Sequence, residues 1–257
     1  MPLDAFAAGL VADVRVLWPQ GLNTRLYLDA NALSRQTAWA HSFMHAYALW
    51  LGPVVLAALF FVAYAVAWWR RASHATALLV LGGAGTVIAL GLNQVVGHAA
   101  RELRPYASHP HALVLVGKTS DFSFPSDHSI VAGGLTLALA LAMHYGRRRA
   151  GGRAGDGEHA AVGPRPFPGS LVGLAVILGL FLCFARVYVG AHYPGDVVAG
   201  YLLSALVAGM ACLLVPVADK AVAALDTTVL GVAFRRPDRR RPAHQKGALR
   251  DVRLTER

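Results

Sequence analysis

The sequence predicts an all-α integral membrane protein: a polytopic helix bundle of about five spans, preceded by an N-terminal interfacial helical segment. Three observations carry this prediction. Of 257 residues, 56% are hydrophobic and only 15% charged, with a mean hydropathy of +0.47, a balance foreign to water-soluble domains. Apolar runs long enough to cross hydrocarbon recur along the chain. Basic residues gather at the ends of alternate runs, as the positive-inside rule requires.

From residue 1 to about 45, Asp13, Arg15, Arg25, Asp29 and Arg35 interrupt the apolar residues too often for a span. This spacing suits helices lying in the membrane interface. The first span covers about 46–69 and closes on Trp68-Trp69-Arg70-Arg71, aromatic residues followed by positive charge. A second, about 75–96, contains Gly82, Gly83, Gly85 and Gly91, small residues that let helices approach closely in lipid. A polar connection from His98 to Ser126 leads to the third span, which opens at Pro125-Ser126-Asp127-His128 and runs apolar to Met143. Pro125 sets the entry, with Ser126 and Asp127 where an N-cap and first turn belong. Residues 151–168 are rich in Gly, Pro and charge and read as a loop. The fourth span, about 171–185, ends at Arg186. The fifth, about 196–215, follows the turn Tyr193-Pro194-Gly195, and residues 218–257 form a basic tail that reads as cytosolic and disordered.

Five spans place every second connection on one side. Arg70 and Arg71, the 147–165 loop and the tail fall together there, which assigns that side to the cytoplasm. The formal charge of +10 therefore reads as a topology determinant or lipid contact, not as a nucleic-acid surface. Cys183 and Cys212 lie inside apolar runs, with no disulfide framework or metal-ligand spacing. The opening residues lack the pattern of a removable signal peptide.

The opposite, extracytoplasmic side collects chemistry from three separated pieces: Arg104-Pro105, Ser126-Asp127-His128, and Arg186 to Asp196. Ionisable groups at membrane helix ends are costly unless they pair or bind something. Two arginines and two histidines beside a helix N-terminus point to an anionic ligand, and phosphate fits best. His98, His109 and His111 share this side but read as solvated loop residues, and Lys118 is within reach of a lipid head group.

These residues resemble the type 2 phosphatidic acid phosphatases, whose motifs are Lys-x6-Arg-Pro, Pro-Ser-Gly-His and Ser-Arg-x5-His-x3-Asp. Arg104-Pro105, Pro125-Ser126-Asp127-His128 and Arg186-x5-His192-x3-Asp196 follow them in order and spacing. Phe-Pro-Ser-Asp-His and Gly-x-His-Tyr-Pro-x-Asp are most similar to the BcrC-type undecaprenyl-diphosphate phosphatases. The resemblance covers about 45–214, so that 46–217 is expected to be the phosphatase domain. It implies His192 as a nucleophile forming a phosphohistidine, Asp196 as the carboxylate fixing its tautomer, and His128 as general acid and base. Arg104, Arg186, Ser126 and the helix-start amides would bind phosphate oxygens, with no metal and no cofactor. The implied partners are a lipid diphosphate substrate and the bilayer, with no nucleic acid and an oligomeric state left open. The implied location is the plasma (inner) membrane, with the active site outside and the tail inside.

Three departures stand out. Gly97 occupies the position of the first-motif Lys; Arg101, three residues before Arg104, reads either as its substitute or as an interfacial charge, and Asn93 is a weaker candidate. Asp127 replaces Gly in the second motif, beside the expected phosphate, where it either repels or points away. Ala185 replaces the leading Ser of the third.

Overall fold

A computed structural model describes residues 19–146 and 165–217. The expected basic tail and most of the 151–168 loop lie outside the described residues, as does most of the first half of the N-terminal segment.

Helix α1 covers Gln20–Gln36. Next comes one long helical run, Ala38–Trp69, built from a 3-10 turn at Ala38–Ala40, α2 at His41–Ala46, a π turn at Tyr47–Leu51 and α3 at Gly52–Trp69. Helix α4 is Ser73–Ala100 and α5 the short Pro105–Ser108. Helices α6 (Asp127–Tyr145), α7 (Gly169–Tyr188) and α8 (Pro194–Cys212) complete the order. Five helical stretches are long and apolar enough to cross a membrane; the protein is a multi-pass membrane helix bundle. The first begins at Ala38 rather than near residue 46: Trp39, His41 and His45 look interfacial in sequence yet continue the helix.

Helix α6 forms the centre, packed on α4, α7 and α8, with α3 outside it. Small residues set these distances, as expected of helices that associate in lipid by close approach. At Gly85 an added Cβ would lie 2.7 Å from the Ala208 Cα of α8, and at Gly133 it would run into the Tyr201 backbone.

Helix α1 inverts the usual pattern. Its buried stripe is Asn23, Tyr27, Asn31 and Ser34, the i, i+4, i+8, i+11 face of a helix, while Leu22, Leu26 and Leu33 are each about 40% exposed. Polar side chains turn inward because the loops beneath present unpaired backbone groups. Asn31 pairs with Leu113 twice, Nδ2 donating to its carbonyl at 2.7 Å and Oδ1 accepting from its N–H at 3.1 Å. Asn23 Oδ1 accepts from the Gly195 N–H at 2.8 Å. Tyr27 packs between His109 and Tyr193. The outward leucines fit a lipid-facing surface.

Candidate active site

The three sequence pieces converge at one end of the bundle. Arg104 leaves α4 because the chain turns there: Arg101 adopts φ 48°, ψ 34° and ends the helix. Pro105 then holds Arg104 extended at φ −63°, ψ 149°, as a residue before proline prefers. Arg101 and Arg104 therefore share no helical face. Arg101 is exposed, and its Nε donates to the His98 carbonyl of its own helix at 3.4 Å. The helical-face argument for Arg101 as a substitute phosphate ligand fails for this reason.

His192 sits in the turn before α8, almost fully buried. Its Nδ1 donates to the Ser123 carbonyl at 2.8 Å, which leaves the Nε2 lone pair outward. Nε2 accepts from Arg104 Nη1 at 3.2 Å and Arg186 Nη2 at 3.3 Å. Burial, then Arg186, then Arg104 hold the His192 imidazole well below its ordinary range, against the opposing Ser123 hydrogen bond. The ring is thus neutral, with an available lone pair directed at two guanidinium groups.

Asp196 acts less directly than its four-residue spacing suggested. Its Oδ2 lies 3.6 Å from His192 Nδ1, accepts from the Ser123 hydroxyl at 2.5 Å and accepts from the Tyr193 N–H at 2.8 Å, closing the first turn of α8. The tautomer of His192 is set by the Ser123 carbonyl, with Asp196 gripping the Ser123 side chain behind it. Ser123 carried no signal in the sequence, since its contact with His192 is made by a backbone group two residues before the second motif.

Ser126 is the N-cap residue of α6, and its N–H donates to the Asp196 carbonyl at 3.1 Å. Its hydroxyl makes no capping bond. That hydroxyl and Arg186 Nε are buried without a hydrogen-bond partner in the protein, two donors an anion could use. Asp127 is held to α4: its Oδ1 accepts from Asn93 Nδ2 at 2.6 Å, and the same amide donates to the Pro125 carbonyl at 3.1 Å. Asn93 therefore ties the second-motif turn to α4. His128 Nε2 lies 3.4 Å from the Leu49 carbonyl, and Arg186 Nη1 donates to the neighbouring Ala48 carbonyl at 3.2 Å.

A cleft of about 250 Å³ opens beside these groups, lined by Asn93, Gly97, Arg104, Asp121, Asp127 and His192. Asp121, unremarked in the sequence, grips Arg104 with both oxygens: Nε to Oδ1 at 3.1 Å and Nη2 to Oδ2 at 2.8 Å. Partial burial would raise its carboxyl, but hydrogen bonds from Arg104 and Thr119 outweigh this and bring it down from 3.8 to about 2. Lys118 rests over the Tyr106 ring, 5.8 Å from its centre. His98 packs edge-on to Phe122, and His109 packs against Tyr27 and Tyr193; His111 is exposed.

Residues 75–219 match the family model described as the PAP2 superfamily. The chain is 29% identical over 119 residues to an undecaprenyl-diphosphatase of Sulfolobus acidocaldarius, covering 46% of the chain and 45% of that relative. It is 33% identical over 130 residues to the undecaprenyl-diphosphatase BcrC of Bacillus subtilis, covering 51% of each. It is also 30% identical over 128 residues to a decaprenylphosphoryl-5-phosphoribose phosphatase of Mycobacterium tuberculosis, 50% of the chain and 56% of the relative. The chain thus spans about half the length of the curated relatives it matches first. No solved structure matches it significantly.

Proposed function

This chain belongs to the PAP2 superfamily, and from that membership we propose that it is a membrane lipid phosphatase. It hydrolyses a polyprenyl diphosphate, undecaprenyl diphosphate first among them, to the monophosphate and inorganic phosphate. The reaction takes place at the extracytoplasmic face of the plasma (inner) membrane, in a phosphatase domain spanning about 46–217, with the tail on the cytoplasmic side. The observation that carries this reading is the neutral His192 with Nε2 directed at Arg104 and Arg186.

The terminal phosphate enters the cleft, where Arg104, Arg186, the Ser126 hydroxyl and the first amides of α6 take its non-bridging oxygens. His192 Nε2 attacks phosphorus in line, and the bond to the bridging oxygen breaks as His128 protonates that oxygen. The product is the lipid monophosphate and a phosphohistidine. Positive charge on the ring is stabilised by the Ser123 carbonyl on Nδ1 and by Asp196 behind it. His128, now deprotonated, takes a proton from water as its oxygen attacks phosphorus, regenerating His192 and releasing phosphate.

The match to a phosphatase acting on decaprenylphosphoryl-5-phosphoribose keeps other prenyl phosphates in view, beside phosphatidylglycerol phosphate and phosphatidate. A non-catalytic head-group binder or transporter would have no use for a neutral histidine so directed. The test is phosphate release by purified protein with EDTA present, offering each lipid in turn. The expected outcome is release fastest from the polyprenyl diphosphate and abolished by His192→Ala in a folded variant. Equal release by His192→Ala would remove the proposed nucleophile, and release from none of the lipids would leave the binding reading in its place.

A further inference from the structure

The first span is broken at the depth of the active site, and the break has a chemical cause. In an α-helix the Ala48 carbonyl would accept from the residue 52 N–H and the Leu49 carbonyl from the residue 53 N–H. Here the Gly52 N–H donates to the Tyr47 carbonyl, five residues back, and Pro53 has no N–H. Both carbonyls are therefore without their usual partners, and both are used by the site. Ala48 O accepts from Arg186 Nη1 at 3.2 Å, and Leu49 O accepts from His128 Nε2 at 3.4 Å.

The turn is locked in this shape. A Cβ at Gly52 would lie 2.8 Å from the Tyr47 carbonyl and 2.8 Å from Leu182 Cδ1 of α7, so only glycine fits. Tyr47 is fastened to α7, its hydroxyl donating to the Leu178 carbonyl at 2.9 Å and its ring packing on Phe181. Helix α7 ends two residues after Arg186, which brings that guanidinium to the freed carbonyls. π turns inside α-helices recur at functional sites because they release backbone groups.

We propose that Gly52-Pro53 is a positioning element of the active site, freeing the Ala48 and Leu49 carbonyls to orient Arg186 and His128. A carbonyl only accepts, so the His128 nitrogen that faces it, Nε2, stays protonated throughout. The proton given to the leaving oxygen and taken back from water is carried by Nδ1. Pro53 does not line the cleft and lies outside the residues that match the family model.

The inference rests on the phosphatase reading, and its test separates the two. Pro53→Ala restores an N–H that recaptures the Leu49 carbonyl. Wild type, Pro53→Ala, His128→Ala and the double variant are compared on two phosphate monoesters: dodecyl phosphate, whose alkoxide must be protonated to leave, and 4-nitrophenyl phosphate, whose leaving group needs little help. The ratio of kcat/KM for the alkyl over the aryl ester is expected to fall about tenfold in Pro53→Ala, part of the roughly 100- to 10,000-fold typical of a general acid. It should fall no further when Pro53→Ala is added to His128→Ala. The melting temperature in detergent should hold or rise, since proline inside a helix is unfavourable, and the 15N resonance of His128 Nε2 should shift.

An unchanged ratio, an equal loss on both esters, or a lowered melting temperature with an unmoved Nε2 resonance overturns the positioning role. Wild type that hydrolyses neither ester nor any lipid phosphate, while Nε2 still shifts in Pro53→Ala, overturns the phosphatase reading and keeps the geometry.

Discussion

Asp121→Asn should tighten the binding of phosphate. Arg104 has five N–H groups, and four of them are engaged: Asp121 takes Nε and one on Nη2, while Ala191 O and His192 Nε2 take the two on Nη1 at 3.1 and 3.2 Å. A phosphate that takes the Nε and Nη2 fork of Arg104 with two oxygens must displace the Asp121 carboxylate. The Asp121 side chain is 60% exposed, so the pair belongs with surface ion pairs worth about 0.2–1 kcal/mol. At 1.4 kcal/mol per decade, removing that competition lowers the inhibition constant for inorganic phosphate about 1.4- to 5-fold. Arg104 keeps its Nη1 anchors in the variant. The assay is competitive inhibition of turnover by phosphate, repeated from pH 5 to 8. Because the folded pKa of Asp121 lies below its ordinary value, the pairing is complete above about 3.8 and is lost only as pH falls through about 2. The ratio of wild-type to variant constants should therefore stay flat across that window. Weaker phosphate binding in the variant would refute the reasoning and recast Asp121 as a brace that aims Arg104.

Two further perturbations address the scaffold. Asn23→Leu removes the acceptor for the half-buried Gly195 N–H and should cost about 1–3 kcal/mol, with a matching loss of kcat. Asn23→Asp keeps an acceptor oxygen at the N-terminal amides of α8, a place that favours negative charge, and should retain most activity; thermal unfolding in detergent and turnover together distinguish the two. Gly200→Ala puts a Cβ 2.6 Å from the Ser126 carbonyl and should cost about 1–3 kcal/mol by overpacking, slowing turnover by pushing the second-motif turn off α8. Unchanged melting and kcat would show that the contact yields freely.

Spans two to five were legible because each carries an uninterrupted apolar run with charge at its ends. The convergence of Arg104, Ser126, His128, Arg186 and His192 followed from motif spacing and topology. Three features were not legible, each for its own physical reason. Ser123 and Leu49 act through backbone carbonyls, which any residue type supplies. Asp121 meets Arg104 across seventeen residues of irregular chain, where no periodicity reports distance. The seat of α1 rests on asparagines and a tyrosine facing inward, whereas apolar patterning assigns the buried face to leucine.

That inverted helix carries a practical consequence. Water favours the opposite rotation of α1, leucines hidden and asparagines hydrated, so its seat over the turn that bears His192 depends on something apolar coating Leu22, Leu26 and Leu33. The amphiphile that surrounds the purified protein is, in this sense, a structural component of the support beneath the His192 turn. A detergent exchange that thins this coat acts on Asn23 and Gly195 first, and turnover would fade while the five long helices were still intact.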